Sequence, residues 1–326
     1  MKIIIPVAGI GSRLRPHTHS APKSLLYVAG KPILGHILDQ VVKLNPSEVT
    51  LIIGFLGSMI VNYVNRMYDI KARFVEQADL LGLGYAIYLG IREGETEDIL
   101  IILGDTVVET DWAKLIAKKQ NILAVKEVDD PRRFGVVETS GTRITSIVEK
   151  PEKPKSNLAS VGVYYIKDTP LFYDALQTVY KTGIRTRGEF QVTDAFDLLI
   201  DKGVELHAYP IEGWYDCGKR ETLLETNRHI LAGLPNGVNH QEFQGSVINP
   251  PVYVAPDAVI EKSIIGPNTS VAEGSVIINS IVSDSIISAG ARVENARLTS
   301  SLVGNNAVVR GVFKVLNVGD SSEISY

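Results

Sequence analysis

The sequence has little cysteine, few aromatic residues and no long hydrophobic run. Its one cysteine, Cys217, excludes an internal disulfide framework and a cysteine-rich metal site. No apolar run approaches the roughly 18 residues that a membrane span requires, and the opening apolar run is too short for a secretory signal. We therefore expect a cytoplasmic protein that has no membrane partner.

Positive charge is not in excess either. The 33 lysines and arginines are outnumbered by 37 aspartates and glutamates, which gives a net charge of −4. This balance argues against nucleic-acid binding, which requires a broad basic face. It is compatible with a phosphorylated small molecule, because a few cations in a cleft can bind a polyanion locally. With 326 residues, 45% of them hydrophobic, the chain can form one large domain or two ordinary ones.

Short apolar runs alternate with helical patterns as far as about Leu234. The run at Ile99–Leu103 is wholly apolar, which is typical of a strand buried on both faces of a sheet. This alternation predicts a doubly wound, Rossmann-like α/β domain. The predicted strands are Lys2–Ala8, Val49–Phe55, Ala72–Glu76, Ile99–Leu103 and Asn121–Val128, and the predicted helices are Pro32–Leu44, Gly57–Arg66 and Leu83–Arg92.

A second group of longer strand candidates comes next. The predicted strands are Gly135–Glu138, Arg143–Glu149 and Ala159–Ile166, and the predicted helices are Leu171–Lys181 and Gln191–Lys202. We interpret this group as an inserted or appended sheet region that closes over the first half and offers a place for a second substrate.

The last quarter of the chain is a repeat. Aliphatic residues recur every five or six positions, as at Val254, Ile260, Ile265 and Val271, with small or Asn residues between them. A six-residue period predicts a parallel β-helix whose aliphatic side chains point inward. We therefore predict a catalytic domain at residues 1–234, a linker at 235–251 and a short hexapeptide-repeat β-helix of about ten rungs at 252–326.

A glycine-rich loop comes directly after the first predicted strand. Gly9 and Gly11 allow backbone N–H groups to approach phosphate oxygens, and Arg13 can bind a pyrophosphate with two hydrogen bonds. The loop lacks the Gly-Lys-Ser/Thr of a P-loop and the third glycine of a dinucleotide fingerprint.

Together with a series of later segments, this loop resembles the signature of the sugar-1-phosphate nucleotidylyltransferases. The similar segments run in the family's order from Gly9 to Gly218. They are Gly9-x-Gly11-Ser12-Arg13-Leu14-x-Pro16, Pro22-Lys23, Gly30-Lys31-Pro32-Ile33, Gln77, Gly82-Leu83-Gly84-Tyr85-Ala86, Leu103-Gly104-Asp105, Phe134-Gly135-Val136, Val148-Glu149-Lys150-Pro151, Val161-Gly162, Arg187-Gly188-Glu189, Thr193-Asp194 and Trp214-Tyr215-Asp216-Cys217-Gly218. Members with a C-terminal left-handed β-helix, the long-form glucose-1-phosphate thymidylyltransferases, are the most similar in layout. Ser12 stands where the family often has Thr, a conservative change that should preserve the phosphate loop. Thr106 and Phe134 stand where the family often has Asn and Tyr, which leaves the identity of the sugar open.

The resemblance implies a role for each matching residue. Arg13, Lys23 and Lys150 would be catalytic, holding the β,γ-phosphates, the α-phosphate region and the sugar phosphate. The implied nucleotide-binding residues are Ala8, Gly9, Gly11, Ser12, Gln77 and Gly82. The implied sugar-phosphate-binding residues are Gly135, Glu149, Lys150, Val161, Gly162 and Arg187. Asp105 and Asp216 would share a Mg²⁺ cofactor, an ion that prefers oxygen ligands and bridges phosphates.

The implied reaction requires no nucleophilic side chain. An oxygen of the sugar-1-phosphate attacks the α-phosphorus of a nucleoside triphosphate and pyrophosphate leaves, so that positioning and charge neutralisation carry catalysis. Gln77 can pair with the O4/N3 edge of thymine or uracil, and it does not separate dTTP from UTP. We expect glucose-1-phosphate as the sugar phosphate. The six histidines show no metal spacing and receive no role.

Three alternatives remain. The enzyme could transfer a guanylyl or adenylyl group to another hexose-1-phosphate, or the chain could be a catalytically silent regulatory subunit. Acyl transfer on the β-helix is disfavoured, because no histidine occurs after His240. We also expect a homo-oligomer in which the β-helix packs subunits together or against the catalytic domain.

Overall fold

The structure, a computed structural model, describes residues 1–234, 243, 245–311 and 315–325. Backbone contacts divide the chain into two compact units. Unit 1 comprises residues 1–9 and 37–214, and unit 2 comprises residues 10–36 and 215–326. The domain limits given above, 1–234, 235–251 and 252–326, stay a prediction.

The chain from Met1 to Leu234 contains the strands and helices of a mixed α/β fold. The strands are β1 (Lys2–Pro6), β2 (Tyr27–Val28), β3 (Lys31–Pro32), β4 (Glu48–Ile53), β5 (Ala72–Glu76), β6 (Ile99–Ile102), β7 (Thr106–Glu109), β8 (Asn121–Glu127), β9 (Gly135–Ser140), β10 (Arg143–Glu149), β11 (Leu158–Ile166), β12 (Leu206–Pro210) and β13 (Gly213–Asp216). The helices are α1 (Ile33–Val41), α2 (Gly57–Met67), α3 (Leu83–Gly90), α4 (Trp112–Ala117), α5 (Thr169–Thr182), α6 (Val192–Asp201) and α7 (Arg220–Gly233). Short 3₁₀ helices occupy Ser12–Leu14, His17–His19, Lys23–Leu25, Val42–Leu44 and Pro131–Arg133.

Unit 1 is built on one nine-stranded sheet with the order β5-β4-β1-β6-β11-β8-β12-β10-β9. Strands β5, β4, β1 and β6 are parallel, as predicted for a doubly wound sheet. All four residues of β6 are buried, which confirms that this apolar run is covered on both faces. The first half of the predicted fold is therefore confirmed.

The second group of strands does not form a separate region, and that interpretation was wrong. Strand β11 runs antiparallel between β6 and β8, so it joins the centre of the same sheet. The physical reason is that eight of its nine residues are buried, which requires partners on both edges and cover on both faces. Strands β9 and β10 continue the sheet at its far edge through β12.

The core of unit 1 lies between this sheet and the helices α3, α5 and α6. The Phe172 and Phe196 rings stack with centroids 5.2 Å apart, and Tyr164 meets Phe196 edge-on at 5.0 Å. All three side chains are buried. Aromatic pairs with these geometries add to the free energy gained from burial alone.

Most predicted elements of unit 1 lie within two or three residues of the observed ones. The elements missed between Met1 and Leu234 are β7, α4, β12, β13 and α7, besides the two-residue strands β2 and β3 and the 3₁₀ turns. Strands β7 and β13 have four residues each, and helix α4 has six. Segments this short give too few periods for a pattern to be recognised.

The C-terminal strands of unit 2 stack into three parallel sheets, one for each face of a coil. One face has the order β14-β17-β20-β23, the second β15-β18-β21-β24-β26 and the third β16-β19-β22-β25-β27. These strands are β14 (Val247–Ile248), β15 (Val252–Val254), β16 (Val259–Glu261), β17 (Ile264–Ile265), β18 (Thr269–Val271), β19 (Val276–Ile278), β20 (Ile281–Ser283), β21 (Ile286–Ile287), β22 (Arg292–Glu294), β23 (Arg297–Thr299), β24 (Leu302–Val303), β25 (Val308–Arg310), β26 (Asn317–Val318) and β27 (Glu323–Ser325). This arrangement is consistent with the predicted left-handed β-helix.

One coil of the β-helix contains three of the sequence repeats. Val247 pairs with Ile264, and Ile264 pairs in turn with Ile281, so each coil advances the chain by about three hexapeptide periods. The two longest faces have five strands each within the described residues, so the β-helix has about five coils there and the expected ten or so rungs were too many. The ladder begins at Val247, inside the predicted linker, whose residues 235–242 and 244 lie outside the described residues.

Aliphatic residues fill the β-helix as the repeat predicted. Ile265, Val271, Ile277 and Ile287 are fully buried. The corners take the left-handed backbone conformation, as at Asn268 with φ 59°, which asparagine tolerates better than most residues.

Helix α7 and the segment 27–36 pack on the β-helix within unit 2. The fully buried Asn227 accepts hydrogen bonds from the Ala29 N–H at 2.9 Å and the Ser270 hydroxyl at 2.6 Å, and it donates to the Asn268 carbonyl at 3.1 Å. Arg228 forms an ion pair with Asp284. These contacts fix α7, and therefore the residues just before it, on the β-helix.

None of the helices in the described ranges is long and apolar enough to cross a membrane.

Candidate active site

In unit 2 the glycine-rich loop turns sharply over a buried lysine. Gly11 has φ 69°, and a Cβ there would lie 2.9 Å from the Lys23 Cβ and 3.0 Å from the Thr18 Cγ2. Only glycine fits this close approach and this left-handed conformation. Lys23 is 8% exposed, whereas Ser12 and Arg13 are exposed on the one-turn helix that begins after Gly11. The loop therefore packs on the stem of the buried Lys23 and carries the exposed Arg13.

The second part of this site precedes helix α7. A Cβ on Gly218 would lie 2.8 Å from the Asp216 Oδ1 and 3.2 Å from the Arg13 Nη2, so both side chains converge on this glycine. A nearby cavity of about 360 Å³ is lined by Arg13, Lys219, Arg220, Glu221 and Asn317. Three of these five side chains are cationic, which suits a polyanion such as a triphosphate.

In unit 1 the chain leaves strand β1 through Val7 and the buried Ala8. The Val7 N–H donates to the Ile52 carbonyl at 2.8 Å, and a Cβ on Gly54 would lie 2.8 Å from the Ala8 carbonyl oxygen. Gly9, by contrast, has open space where a Cβ would lie. The ends of β1 and β4 thus approach closely and direct Ala8 and Gly9 out of the sheet at its carboxyl edge.

Gln77 and Gly82 belong to one tight loop before helix α3. Gln77 is buried, and its Nε2 donates to the Gly82 carbonyl at 3.2 Å. Gly82 has φ 113°, and a Cβ there would lie 2.7 Å from the Phe190 carbonyl oxygen. The structure therefore holds the Gln77 amide with its nitrogen towards Gly82, which leaves the amide oxygen as an acceptor.

Asp105 lies just after core strand β6 at the same carboxyl edge. A Cβ on Gly104 would lie 2.2 Å from the Val7 Cγ1, so this glycine allows β6 to end against β1. The half-buried Asp105 accepts a hydrogen bond from the Thr106 hydroxyl at 3.2 Å.

Val161 and Gly162 pack against the end of strand β6. The Val161 side chain is buried, and the Gly162 carbonyl accepts a hydrogen bond from the Leu103 N–H at 2.9 Å. Gly162 has φ 79°, and a Cβ there would lie 2.5 Å from the Leu103 Cδ1. These two residues therefore support the end of β6 just before Asp105, and Val161 can offer a ligand only its backbone.

The remaining predicted sugar-phosphate residues cluster at the ends of β9 and β10. Gly135 and Glu149 are paired across these strands, and a Cβ on Gly135 would lie 3.0 Å from the Thr193 Cγ2 and 3.4 Å from the Glu149 Oε2. The Lys150 ammonium lies 2.9 Å from the Glu149 carboxylate. Arg187 is exposed and donates to the Lys150 carbonyl at 2.7 Å. We call Gly135, Glu149, Lys150, Thr193, Asp194 and Trp214 the sugar cluster.

Three polar atoms of the sugar cluster are buried and have no hydrogen-bond partner within the described residues. They are the Thr193 Oγ1, the Asp194 Oδ2 and the Trp214 Nε1. The Trp214 ring meets Phe134, the neighbour of Gly135, edge-on at 4.8 Å. Leaving one such atom unpaired costs about 1–3 kcal/mol. The hydroxyl groups of a ligand can pair with such vacant donors and acceptors.

Burial also raises the pKa values of two side chains in this region, Asp194 and Tyr164. It raises the pKa of the Asp194 carboxyl above its ordinary value, although the hydrogen bond from Thr186 acts in the opposite direction. Burial likewise raises the pKa of the Tyr164 hydroxyl, and the nearby Glu149 and Asp105 carboxylates raise it further. The buried Tyr164 hydroxyl therefore remains neutral.

The residues present fit a magnesium ion. In the part of the chain that the structure describes, no three or more His, Cys, Asp or Glu side chains are grouped to hold a metal. Mg²⁺ in phosphate-transfer sites is usually bound by one or two carboxylates together with substrate phosphates, so a single well-placed carboxylate suffices. Asp216 offers one such carboxylate and lies near Arg13, a residue that can bind the same phosphates, at Gly218. The Asp105 carboxylate is half-exposed and offers the same donor type.

The sequence alone assigns no individual role to several residues of the sugar cluster and of the cationic cavity beside Arg13. Thr193, Asp194 and Trp214 were noted only as parts of matching segments, and Lys219 and Arg220 were not noted. No histidine received a role, yet the buried His17 is hydrogen-bonded to Asn317 at 2.7 Å. The signal for Lys219 and Arg220 was available, because two adjacent cations come directly after the Trp214–Gly218 match.

Residues 2–233 match the nucleotidyl transferase family. Since this match covers well over half of the 326 residues, the chain belongs to that family. The Rossmann-like sheet, the glycine-rich loop and the sugar cluster all lie in the matched part.

Two relatives and one solved structure show the extent of the similarity. The Bifunctional protein GlmU of Methanocaldococcus jannaschii is 36% identical over 264 residues, which are 79% of this chain and 61% of that protein. The glucose-1-phosphate thymidylyltransferase of Streptomyces griseus is 30% identical over 354 residues, covering 99% of this chain and 98% of that protein. The structure of a UDP-glucose pyrophosphorylase complexed with UDP-glucose superposes with a TM-score of 0.63 at 23% identity, covering 72% of this chain and 99% of the other, and this likeness supports the fold.

Proposed function

We propose that this protein transfers a nucleotidyl group from dTTP or UTP to a sugar-1-phosphate, with glucose-1-phosphate as the preferred acceptor. The observation that carries the acceptor class is the sugar cluster, where Thr193 and Glu149 meet at Gly135 and the buried Thr193 hydroxyl has no hydrogen-bond partner among the described residues. The similarity in layout and length to a glucose-1-phosphate thymidylyltransferase supports the donor and the sugar.

The proposed chemistry is positioning and charge neutralisation. Arg13 binds the β,γ-phosphates, Lys23 binds the α-phosphate region, and Ser12 with the backbone of Ala8, Gly9 and Gly11 lines the phosphate loop. Lys150 binds the sugar phosphate and Glu149 accepts from sugar hydroxyls. Gly135 allows Thr193 and Glu149 to approach each other at the sugar, and Arg187 fixes the backbone of Lys150. A sugar-phosphate oxygen is already an anion, so no side chain has to remove a proton from it.

Asp105 and Asp216 are the proposed ligands of Mg²⁺. When bound, this ion would neutralise phosphate charge and orient the triphosphate.

Gln77 is the proposed reader of the base. Because its nitrogen is held by Gly82, its oxygen is left to accept a ring N–H. Thymine and uracil present such a group at N3 and guanine presents one at N1, whereas adenine and cytosine present none. A distinction between dTTP and UTP rests on one methyl group and one hydroxyl, and a methyl is worth only about 1–3 kcal/mol.

The test uses purified full-length protein with Mg²⁺, glucose-1-phosphate and each of dTTP, UTP, GTP, CTP and ATP. We expect pyrophosphate and a nucleotide sugar with dTTP or UTP, both identified by mass spectrometry, and little product with CTP or ATP. Product only with GTP or ATP would overturn the proposed donor. No product with any triphosphate, over a panel of hexose-1-phosphates, would overturn the enzyme and favour a regulatory subunit.

Thr193→Val tests the sugar cluster. The Thr193 hydroxyl has no partner among the described residues, so its removal should leave the free energy of unfolding unchanged or slightly increased. The loss of one hydrogen bond to the sugar should raise the KM for sugar-1-phosphate about tenfold, with the KM for nucleotide unchanged.

The matched control for this variant is Thr145→Val, on the exposed side of β10. An unchanged KM for the sugar phosphate in Thr193→Val would remove Thr193 from the site.

A further inference from the structure

The end of the β-helix contacts the segment just beyond the glycine-rich loop, and both belong to unit 2. We call Asn317–Asp320 the terminal coil. The Asn317 Oδ1 lies 2.7 Å from the His17 Nε2, and the Ser20 hydroxyl donates to the Asp320 Oδ2 at 2.5 Å. Each of these pairs joins residues 300 positions apart in the sequence.

The contact is buried and closely packed on the side of His17 and Gly319, whereas Asn317 and the Ser20–Asp320 hydrogen bond are exposed. His17 is 5% exposed, and a Cβ on Gly319 would lie 2.9 Å from the Pro16 Cβ. Burial lowers the pKa of His17, against the opposing effects of the Asn317 hydrogen bond and the Asp320 charge. The imidazole is therefore neutral at pH 7, and its Nε2–H donates to the Asn317 oxygen.

The terminal coil is itself fixed within the β-helix. The Asp320 Oδ1 accepts from the Asn305 N–H at 2.7 Å, and Val318 pairs with Val303 in the ladder. Because the terminal coil is held in the ladder, its side chains can restrain the loop residues that they contact.

From His17 the contacts continue to the glycine-rich loop. The neighbouring Thr18 hydroxyl donates to the Gly11 carbonyl at 2.9 Å, and the same carbonyl accepts from the Leu14 N–H at 2.9 Å. Because Gly11 has no room to shift towards Thr18 or Lys23, a displacement of His17 and Thr18 displaces Gly11 and hence Arg13. Asn317 also lines the cationic cavity that Arg13 lines.

We propose that the terminal coil of the β-helix is a positioning element for the nucleotide loop, with Asn317 and Gly319 holding His17 and Pro16 so that Arg13 meets the triphosphate. This inference rests on the proposed function. Asn317 and Gly319 are positioning residues, since they act through residues 16–18. By linkage, nucleotide binding stabilises the contact between loop and coil to the same extent that the contact favours binding.

The test compares Asn317→Ala, which removes the acceptor for His17, with Gly319→Ala, which pushes a methyl group against Pro16. Asn249→Ala, an exposed asparagine in the first coil, is the matched control. The measurements on full-length protein are the Kd for dTTP and for UTP with Mg²⁺ by calorimetry, the KM for each substrate, and the midpoint of thermal unfolding.

We expect Asn317→Ala and Gly319→Ala to weaken nucleotide binding about tenfold, with the KM for sugar-1-phosphate unchanged. Asn249→Ala should bind as the native protein does.

The outcomes separate the two claims. If the native protein binds no nucleoside triphosphate, the proposed function fails. If the native protein binds and turns over but Asn317→Ala and Gly319→Ala match Asn249→Ala, the positioning role is overturned and the function stands. Equal losses for both substrates with a large drop in the unfolding midpoint would also overturn it, because that pattern indicates general destabilisation.

Discussion

Replacing Lys150 by alanine is expected to lower turnover about 10²- to 10³-fold, the usual cost of removing one cation that contacts a reacting phosphate. Lys150 is the cation of the sugar cluster, where its ammonium lies 2.9 Å from the Glu149 carboxylate. Its side chain is 42% exposed, and an ion pair at such a position contributes little to stability. The variant should therefore fold normally and lose activity, with both measured on the same preparation by thermal unfolding and pyrophosphate release.

The matched control for this lysine is Lys153→Ala, a little further along the same loop and exposed. It removes the same charge from the same loop, so a general electrostatic effect would lower activity in both variants. Near-full turnover of Lys150→Ala would show that Lys150 does not contact the sugar phosphate.

Replacing Asp105 by asparagine is also expected to have a large effect. Turnover should fall at least about 10²-fold. Asparagine has the same shape and its amide oxygen can still accept from Thr106, so the end of β6 should keep its structure. The variant lacks the negative charge that a magnesium ligand supplies. Part of the activity should return at raised Mg²⁺ concentration, and this dependence is the measurement.

Asp129→Asn, at an exposed position, controls for loss of one negative charge. If Asp105→Asn kept its turnover, or lost it with an unchanged Mg²⁺ dependence, Asp105 would not be a metal ligand.

The sequence was sufficient for elements whose signal is local. Strand β10 has the predicted bounds, and the wholly apolar β6 lies in the sheet interior as its composition required. The β-helix repeat predicted the buried positions because each inward-facing aliphatic residue marks its own strand of the coil. The glycine-rich loop was predicted for a similar reason, since Gly11 fills a position that no other residue fits.

The order in which distant strands pair in the sheet could not be predicted from the sequence. Nothing near β11 in the sequence shows that it enters the sheet between β6 and β8, because pairing order depends on contacts that close long loops. The sugar cluster could not be predicted for the same reason, because it is formed by residues that are distant in the sequence. Thr193 and Trp214 become significant only when β9 and β10 bring Gly135 and Glu149 to them, and their vacant hydrogen-bonding atoms can be recognised only in three dimensions.

His17 and Asn317 show this limit most clearly. A lone histidine and an asparagine 300 positions later share no motif, and their hydrogen bond exists only because the β-helix returns to the glycine-rich loop.

The measurement that tests the central claim most directly traces the atoms of the sugar phosphate. Glucose-1-phosphate carrying ¹⁸O in its three non-bridging oxygens is incubated with dTTP, Mg²⁺ and the purified protein, and both products are weighed by mass spectrometry. If a sugar-phosphate oxygen attacks the α-phosphorus, all three heavy atoms appear in the nucleotide sugar and none in the pyrophosphate. Label in the pyrophosphate, or the absence of a labelled nucleotide sugar with either dTTP or UTP, would contradict nucleotidyl transfer to a sugar-1-phosphate.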